Sequence, residues 1–380
     1  MKRIICLIAI LFIFCYCSPK REKIEKTIEN GIEVIINHTE PYRIKGEYNT
    51  FNIEERFTID TERDDIARLG LADIESFDLD SEDNIYLLSS RKSPENTIFK
   101  FDKNGEFISS FGRKGQGPGE ILLASYLGVT HRDEIAVIER KSRKLLFFSR
   151  DGNFIKEIRI EPSVIGISPL PNGKYLKEKY IRELSSIFQR IYALILCDSE
   201  FREIRQLDKL LIPNRPSASF WTVSKNNIFV GNEKRGYIIH VFDLEGNFVR
   251  KISKEYKPID YPEEWKRNLE KAYEALYRAS STREKMDIPT HLPPFYSFFT
   301  DEEGRLVVRT WEKGENPDEY IHDIYNSEGI FVGRKSFKDF MRGEQLNTYV
   351  KIKNNRLYGI RVKESGHKEL GVYEINWGYR

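Results

Sequence analysis

The chain has 380 residues, 40% of them hydrophobic and 13% aromatic, which is material for a packed core and excludes a disordered polymer. Its 61 basic and 59 acidic residues leave a formal net charge of +2, which excludes a global basic field of the kind that draws a protein onto nucleic acid. Three of the four cysteines (Cys6, Cys15 and Cys17) crowd the N-terminus, so no disulfide framework is available to the body of the chain. The fourth, Cys197, follows the apolar run Ala193–Leu196 and reads as a core residue.

The first residues have the charged-then-apolar layout of a secretory signal: Lys2 and Arg3, then an apolar run from Ile4 to Tyr16, then Cys17-Ser18-Pro19. That run is shorter than the roughly 20 residues a helix needs to cross a bilayer. A cysteine at its end resembles the lipobox of bacterial lipoproteins. The resemblance implies lipidation at Cys17, with Cys15 as the alternative processed cysteine and plain secretion as the alternative fate. Residues 1–17 are accordingly read as a lipoprotein-type signal peptide, 18–30 as a tether and 31–380 as the folded domain. The expected address is the cell envelope, periplasmic or on the outer-membrane surface, with the lipid as the contact to the membrane.

Past the tether, Ile32–Ile36 and Glu55–Ile59 have strand character but no hairpin partner nearby. From there, period-2 alternation and turn signals predict strands in groups of four. The first group is Asp73–Leu79, Ile85–Ser89, Thr97–Phe101 and Phe107–Phe111; the second is Leu122–Thr130, Ile135–Glu139, Lys144–Phe148 and Phe154–Ile160. The third, less regular, is Val164–Ser168, Lys174–Lys179, Phe188–Cys197 and Phe201–Leu207, and the fourth Phe220–Ser224, Ile228–Val230, Tyr237–Phe242 and Phe248–Ile252. The fifth is Phe295–Thr300, Arg305–Thr310, Glu319–Tyr325 and Ile330–Arg334. Each group carries one or both of two turns, seen for example as Ser81-Glu82-Asp83-Asn84 and Lys103-Asn104-Gly105. Recurring paired hairpins of this kind are the mark of a propeller.

Between the fourth and fifth groups, Pro262 followed by Glu263 and Glu264 opens a helix running to about Ser281, within a helical insertion at about 261–287. Trp265, Leu269, Ala272, Tyr273 and Leu276 form its apolar stripe, fit either for a brace on the ring or for a lid beside a site. The sixth group has only Asn347–Ile352, Arg356–Val362 and Glu369–Ile375 before the sequence stops. An N-terminal strand, Glu55–Ile59, is expected to close it, with Ile32–Ile36 as an additional edge strand. The prediction is an all-β, six-bladed propeller with four-stranded blades and a monomeric domain.

Three segments carry a family resemblance: Phe77-Asp78-Leu79-Asp80-Ser81-Glu82-Asp83-Asn84-Ile85-Tyr86, Phe101-Asp102-Lys103-Asn104-Gly105-Glu106-Phe107, and Phe111-Gly112-Arg113-Lys114-Gly115-Gln116-Gly117-Pro118-Gly119-Glu120. With them the chain resembles NHL-type six-bladed propellers, and more closely the bacterial six-bladed β-propeller lipoproteins. The resemblance implies a binding propeller at the cell envelope and names no common substrate. Since some NHL-type propellers are lyases with a histidine-bound metal, it also admits a metal-assisted lyase or hydrolase at the central channel, with His291 as the first residue to test.

The residues themselves favour binding over catalysis. His38, His131, His240, His291, His322 and His367 have no metal-ligand spacing, no Gly-x-Ser-x-Gly elbow is present, and no cofactor motif appears. The run Gly112–Gly119 lacks the Lys-Ser or Lys-Thr pair of a phosphate-binding P-loop and reads as a connector between blades. The Asp78, Asp80 and Asp83 group lacks the glycine and the terminal glutamate of a calcium loop and reads as a turn. Charge placement is the positive signal. Loops that a propeller places on one face carry Arg91, Lys92, Arg113, Lys114, Gln116, Arg140, Lys141, Arg143, Lys234 and Arg235. The expectation is a basic face for an anionic glycan, a peptide or an envelope protein, against the alternative that these are merely solvated loops.

Overall fold

The computed structural model describes residues 24–181, 189–213, 219–279, 289–317, 319–338 and 350–379. The leader, Cys17 and the end of the insertion lie outside the described residues. The ring has six blades, each built on four antiparallel strands of which the first is innermost. Blade 1 consists of Ser76–Leu79, Ile85–Leu88, Asn96–Phe101 and Phe107–Arg113; blade 2 runs from Ala124–Val129 to Phe154–Arg159, and blade 3 from Val164–Pro169 to Glu203–Pro213. Blade 4 runs from Phe220–Val223 to Phe248–Lys254, and blade 5 from Ser297–Thr300 to Phe331–Lys338.

One chemical device makes the recurring turn. The side-chain oxygen of Asp80 accepts the N–H groups of Glu82 (3.0 Å) and Asn84 (2.9 Å), and Asp83 between them has φ +63°. The same i to i+2 and i+4 bonds recur from Asp102, Thr130, Ser149, Asp198, Asp243, Asp301 and Asn326. The residue at i+3 takes the left-handed region each time: Gly105, Asp133, Gly152, Phe201, Gly246, Gly304 and Gly329. A short polar side chain (Asp, Asn, Ser or Thr) at i is therefore required by the turn, and i+3 must accept positive φ, which Gly does most readily and Asp83, Asp133 and Phe201 also do here.

Blade 6 is assembled from both ends of the sequence. Val350–Lys353, Arg356–Val362 and Lys368–Gly378 supply three strands, and Thr50–Asp60 pairs antiparallel with the last of them from Gly378↔Thr50 to Glu369↔Asp60. The closing strand is thus the expected one, longer at both ends. Ile32–Asn37 is an additional strand as expected, but of blade 4, where it runs parallel to Phe248–Lys254 and is not itself the edge. A further strand, Glu25–Glu29, lies in the stretch read as a tether and makes blade 4 six-stranded. The sequence signal for it is Asn30-Gly31, both at positive φ (+50° and +81°), the dipeptide that two-residue hairpins prefer.

The core is distributed between neighbouring blades. One apolar cluster joins Ile59, Tyr358 and Leu370 of blade 6 to Phe77, Ile85 and Phe99 of blade 1, and comparable clusters fill the other interfaces around the ring. Asn37, fully buried, bolts blades 4 and 5 together: its amide donates to Ser253 O (3.1 Å) and Gly329 O (3.0 Å) and accepts from Phe331 N (2.8 Å). The chain then crosses the outside of blade 5, so close to Gly333 that a Cβ there would lie 1.8 Å from Asn49 O.

Candidate functional site

Strand alternation puts the second-to-third and fourth-to-first connections of every blade at one end of the ring, and that end carries the predicted basic loops. The connection from blade 1 to blade 2 folds back on itself through Ile121 N to Arg113 O (2.9 Å) and Lys114 N to Glu95 O (2.7 Å). Glu120 accepts Gly117 N at 2.8 Å, and a Cβ on Gly115 would collide with the same carboxylate. An acidic side chain therefore occupies the cup of this glycine-rich loop, which suits a connector and not a phosphate cradle.

Arg113 and Gln116 are exposed on this loop, whereas Lys114 is half-buried and donates to Ser93 O at 3.1 Å. In blade 1, Arg91 and Lys92 are exposed, with Lys92 3.9 Å from Asp73. Glu75 holds that loop by accepting Ser90 N (3.0 Å) and Arg91 N (2.7 Å). In blade 2, Arg140, Lys141 and Arg143 are exposed around a tight turn built on buried Glu139. Glu139 accepts Leu123 N (3.0 Å), Lys141 N (3.2 Å), Ser142 N (2.5 Å) and the Ser142 hydroxyl. Burial opposes its charge, but the bonds from Ser142, Leu123 and Lys141 outweigh that and hold the carboxyl below its ordinary range.

In blade 4 the two cations part company. Lys234 is exposed, while Arg235 is half-buried, paired to Asp208 at 2.6 Å and bonded to Val230 O at 3.2 Å. Arg235 is thus committed to holding its own loop. The exposed set is Arg91, Arg113, Arg140, Lys141, Arg143 and Lys234, none of which makes a side-chain ion pair with a described residue.

At the same end, between blades 4 and 5, lies a pocket with about 310 Å³ of empty space, its open mouth included. Tyr237, Lys254, Trp311 and Asp323 line it below, and Ile259, Pro293 and Pro294 of the insertion line it above. Lys254 and Asp323 are buried and 3.3 Å apart; Asp323 also accepts Tyr237 OH (3.0 Å) and Arg334 Nε (2.9 Å). Arg334 passes on to Glu312 at 2.6 Å, and Tyr325 OH donates to Tyr237 OH at 3.0 Å. Burial pushes the Asp323 carboxyl up against the pull of Lys254 and Arg334, and drives the Tyr237 and Tyr325 phenols well above their ordinary values. Sequence reading missed this network. Its signal is a charged residue at an inward strand position, Asp323 before Ile324-Tyr325 and Lys254 at the end of an alternating strand.

The two limbs of the insertion form a short stem, with Tyr261 N to Thr290 O at 3.1 Å and Leu292 N to Ile259 O at 2.7 Å. Tyr261 and Leu292 pack it onto Trp311 of blade 5. His291, on this stem, sits 3.2 Å from Asp260 and 2.8 Å from Thr290 Oγ1. His322 is stacked on Phe337, His240 lies tilted against Phe248, and His38 lies beside Glu25 and Glu255. The histidines keep separate company, and no group of three or more metal-ligand side chains occurs among the described residues.

Fold and site together define a six-bladed β-propeller with cationic loops and a helical insertion at one end. A family model described as a 6-bladed beta-propeller matches residues 70–214, which span the first three blades. Among solved structures, a member of the duf4221 family from Bacteroides vulgatus is similar over 87% of this chain and 100% of its own, at 11% identity and a TM-score of 0.52. A gluconolactonase from Xanthomonas campestris matches at 10% identity over 81% of this chain and 88% of its own, with a TM-score of 0.43. A virginiamycin B lyase from Staphylococcus aureus matches at 10% identity over 86% and 99%, with a TM-score of 0.38. No curated protein matches the chain.

Proposed function

We propose that this propeller is an NHL-type lipoprotein of the cell envelope, carried on a lipidated Cys17, and that it binds an anionic glycan or peptide through its cationic end. The observation that carries the reading is the set of exposed cations from blades 1, 2 and 4, which lack ion-pair partners among the described residues, while Glu75, Glu120 and Glu139 beside them are occupied with loop N–H groups. Exposed charges bind weakly one at a time, about 0.2–1 kcal/mol each, so such a face suits a polyanion that engages several together.

The test is binding of polygalacturonate and of polyglutamate to the full chain over a range of salt concentrations. Each should bind more weakly as salt rises, and the double variant Arg113→Ala, Arg140→Ala should bind several-fold more weakly with a shallower salt dependence. Unchanged binding in the double variant, or no binding of either polymer at low salt, would sink the reading.

A further inference from the structure

The pocket between blades 4 and 5 has bonding capacity that the chain itself leaves unused. Lys254, 8% exposed, lines it at the end of the last meander strand of blade 4. An ammonium has three N–H donors. Around this one the Asp323 carboxylate stands at 3.3 Å and Glu255 O at 3.4 Å, both longer than the roughly 2.7–2.9 Å of a tight charge-assisted bond. The indole N–H of Trp311, on the same pocket, is buried and finds no acceptor among the described residues. A buried donor left unpaired is costly, and an oxygen atom from outside the chain would satisfy it.

The sign of the missing partner follows from the charges already placed. Tyr237, Tyr256 and Trp311 give the pocket aromatic walls, a lining that in other settings holds ammonium groups. Here a cation is disfavoured: Lys254 already lies over the Tyr237 ring, 5.4 Å from its centroid. Lys257 adds a second positive charge, exposed and without an ion-pair partner among the described residues. The carboxylates are engaged, Asp323 with Arg334 (2.9 Å) and Tyr237 (3.0 Å), and Glu312 with Arg334 (2.6 Å). With about 310 Å³ of empty space, mouth included, the pocket stands at the lower end of small-molecule sites, enough for one substituted ring and too little for a chain.

We propose that this pocket takes a single sugar acid, a hexuronate, with its carboxylate at Lys254 and Lys257 and a hydroxyl oxygen accepting the Trp311 N–H. The inference deepens the cationic-end reading above and rests on it for the choice of an acidic glycan: the pocket holds one unit of the polymer that the loops engage. A pyranose ring has an apolar C–H face, which suits the negative face of an aromatic ring, and hydroxyls that reach a lone donor. A neutral sugar would leave Lys254 and Lys257 without an anion. An amino acid would bring a further ammonium beside Lys254.

The experiment titrates the full chain with D-galacturonate and with D-galactose, followed by saturation-transfer NMR, which detects weakly bound sugars. Galacturonate is expected to bind at least about tenfold more tightly than galactose, the scale of one charge-assisted hydrogen bond. Lys257→Ala, at an exposed position, and Trp311→Phe, which keeps a ring but removes the N–H, should each weaken galacturonate several-fold. The double variant Arg113→Ala, Arg140→Ala should leave the monosaccharide affinity unchanged. No transfer to galacturonate, equal binding of the two sugars, or full affinity in Lys257→Ala overturns the pocket assignment. Polygalacturonate binding that needs Arg113 and Arg140 but neither Lys257 nor Trp311 also overturns it and leaves the cationic face standing. Galacturonate bound in the pocket with no binding of the polymer supports the pocket and overturns the face.

Discussion

Asp102, Asp243 and Asn326 do at the scale of one residue what the architecture repeats around the ring: each cancels two otherwise unpaired N–H groups and hands the next-but-two residue to the left-handed region. Gly152 shows what that demands. Its φ is +83°, and a Cβ would lie 2.5 Å from the Phe111 ring of the neighbouring blade. Gly152→Ala should therefore cost more than about 1 kcal/mol, read as a fall in the denaturant midpoint with an unchanged slope. Phe201 occupies the same turn position at φ +64°, with its ring tilted against Tyr175 at 4.2 Å. Single residues also tie stability to pH. Burial lowers the pKa of His322 from 6.5 to about 3, so the folded state resists its protonation more than the unfolded chain does. Its contribution is complete above about pH 6.5 and is lost as pH falls toward 3, with a slope of about 1.4 kcal/mol per pH unit between. His322→Gln should flatten the decline of melting temperature between pH 7 and pH 4.5; an identical decline in both proteins would refute the assignment.

Among the elements, the closing strand carries most at stake. Thr50–Asp60 joins the two ends of the sequence, and Ile59 buries its side chain between blades 6 and 1, 1% exposed. Ile59→Ala should remove about 2–5 kcal/mol, because the cavity opens in an interface that local contacts cannot rebuild. Denaturant unfolding followed by both fluorescence and circular dichroism checks this; a loss below 1 kcal/mol would mean that the ring does not rely on its closure. The N-terminal hairpin illustrates the opposite case. Asn30-Gly31 announces a turn locally, yet the place of Ile32–Asn37 on blade 4 depends on pairing with a strand more than two hundred residues away. No local pattern encodes that partner. The insertion helix has the same division: its limits follow from Pro262 and the apolar stripe, whereas its rotation about its own axis depends on what it packs against.

For the molecule as a whole, a ring converts a neutral composition into a polar arrangement of charge. Blades 1 and 2 are adjacent, so Arg91, Arg113, Arg140, Lys141 and Arg143 gather at one end, with Lys234 on blade 4 across the ring. The predicted basic residues did fall at one end, because strand alternation alone decides which loops share a face. Arg235 and Lys114 could not be separated from the rest in advance, since their partners Asp208 and Ser93 O belong to other strands and loops. The sequence by itself determined the number of blades, the turn chemistry, the closing strand and the helical insertion, all of which follow from periodicity and from residues that act on their near neighbours. Only the tertiary structure decided the six-stranded blade 4, the buried network of Lys254, Asp323, Tyr237 and Arg334, and which cations stay exposed. Those features arise where distant strands meet, and burial and pairing across such contacts leave no periodic trace in the chain.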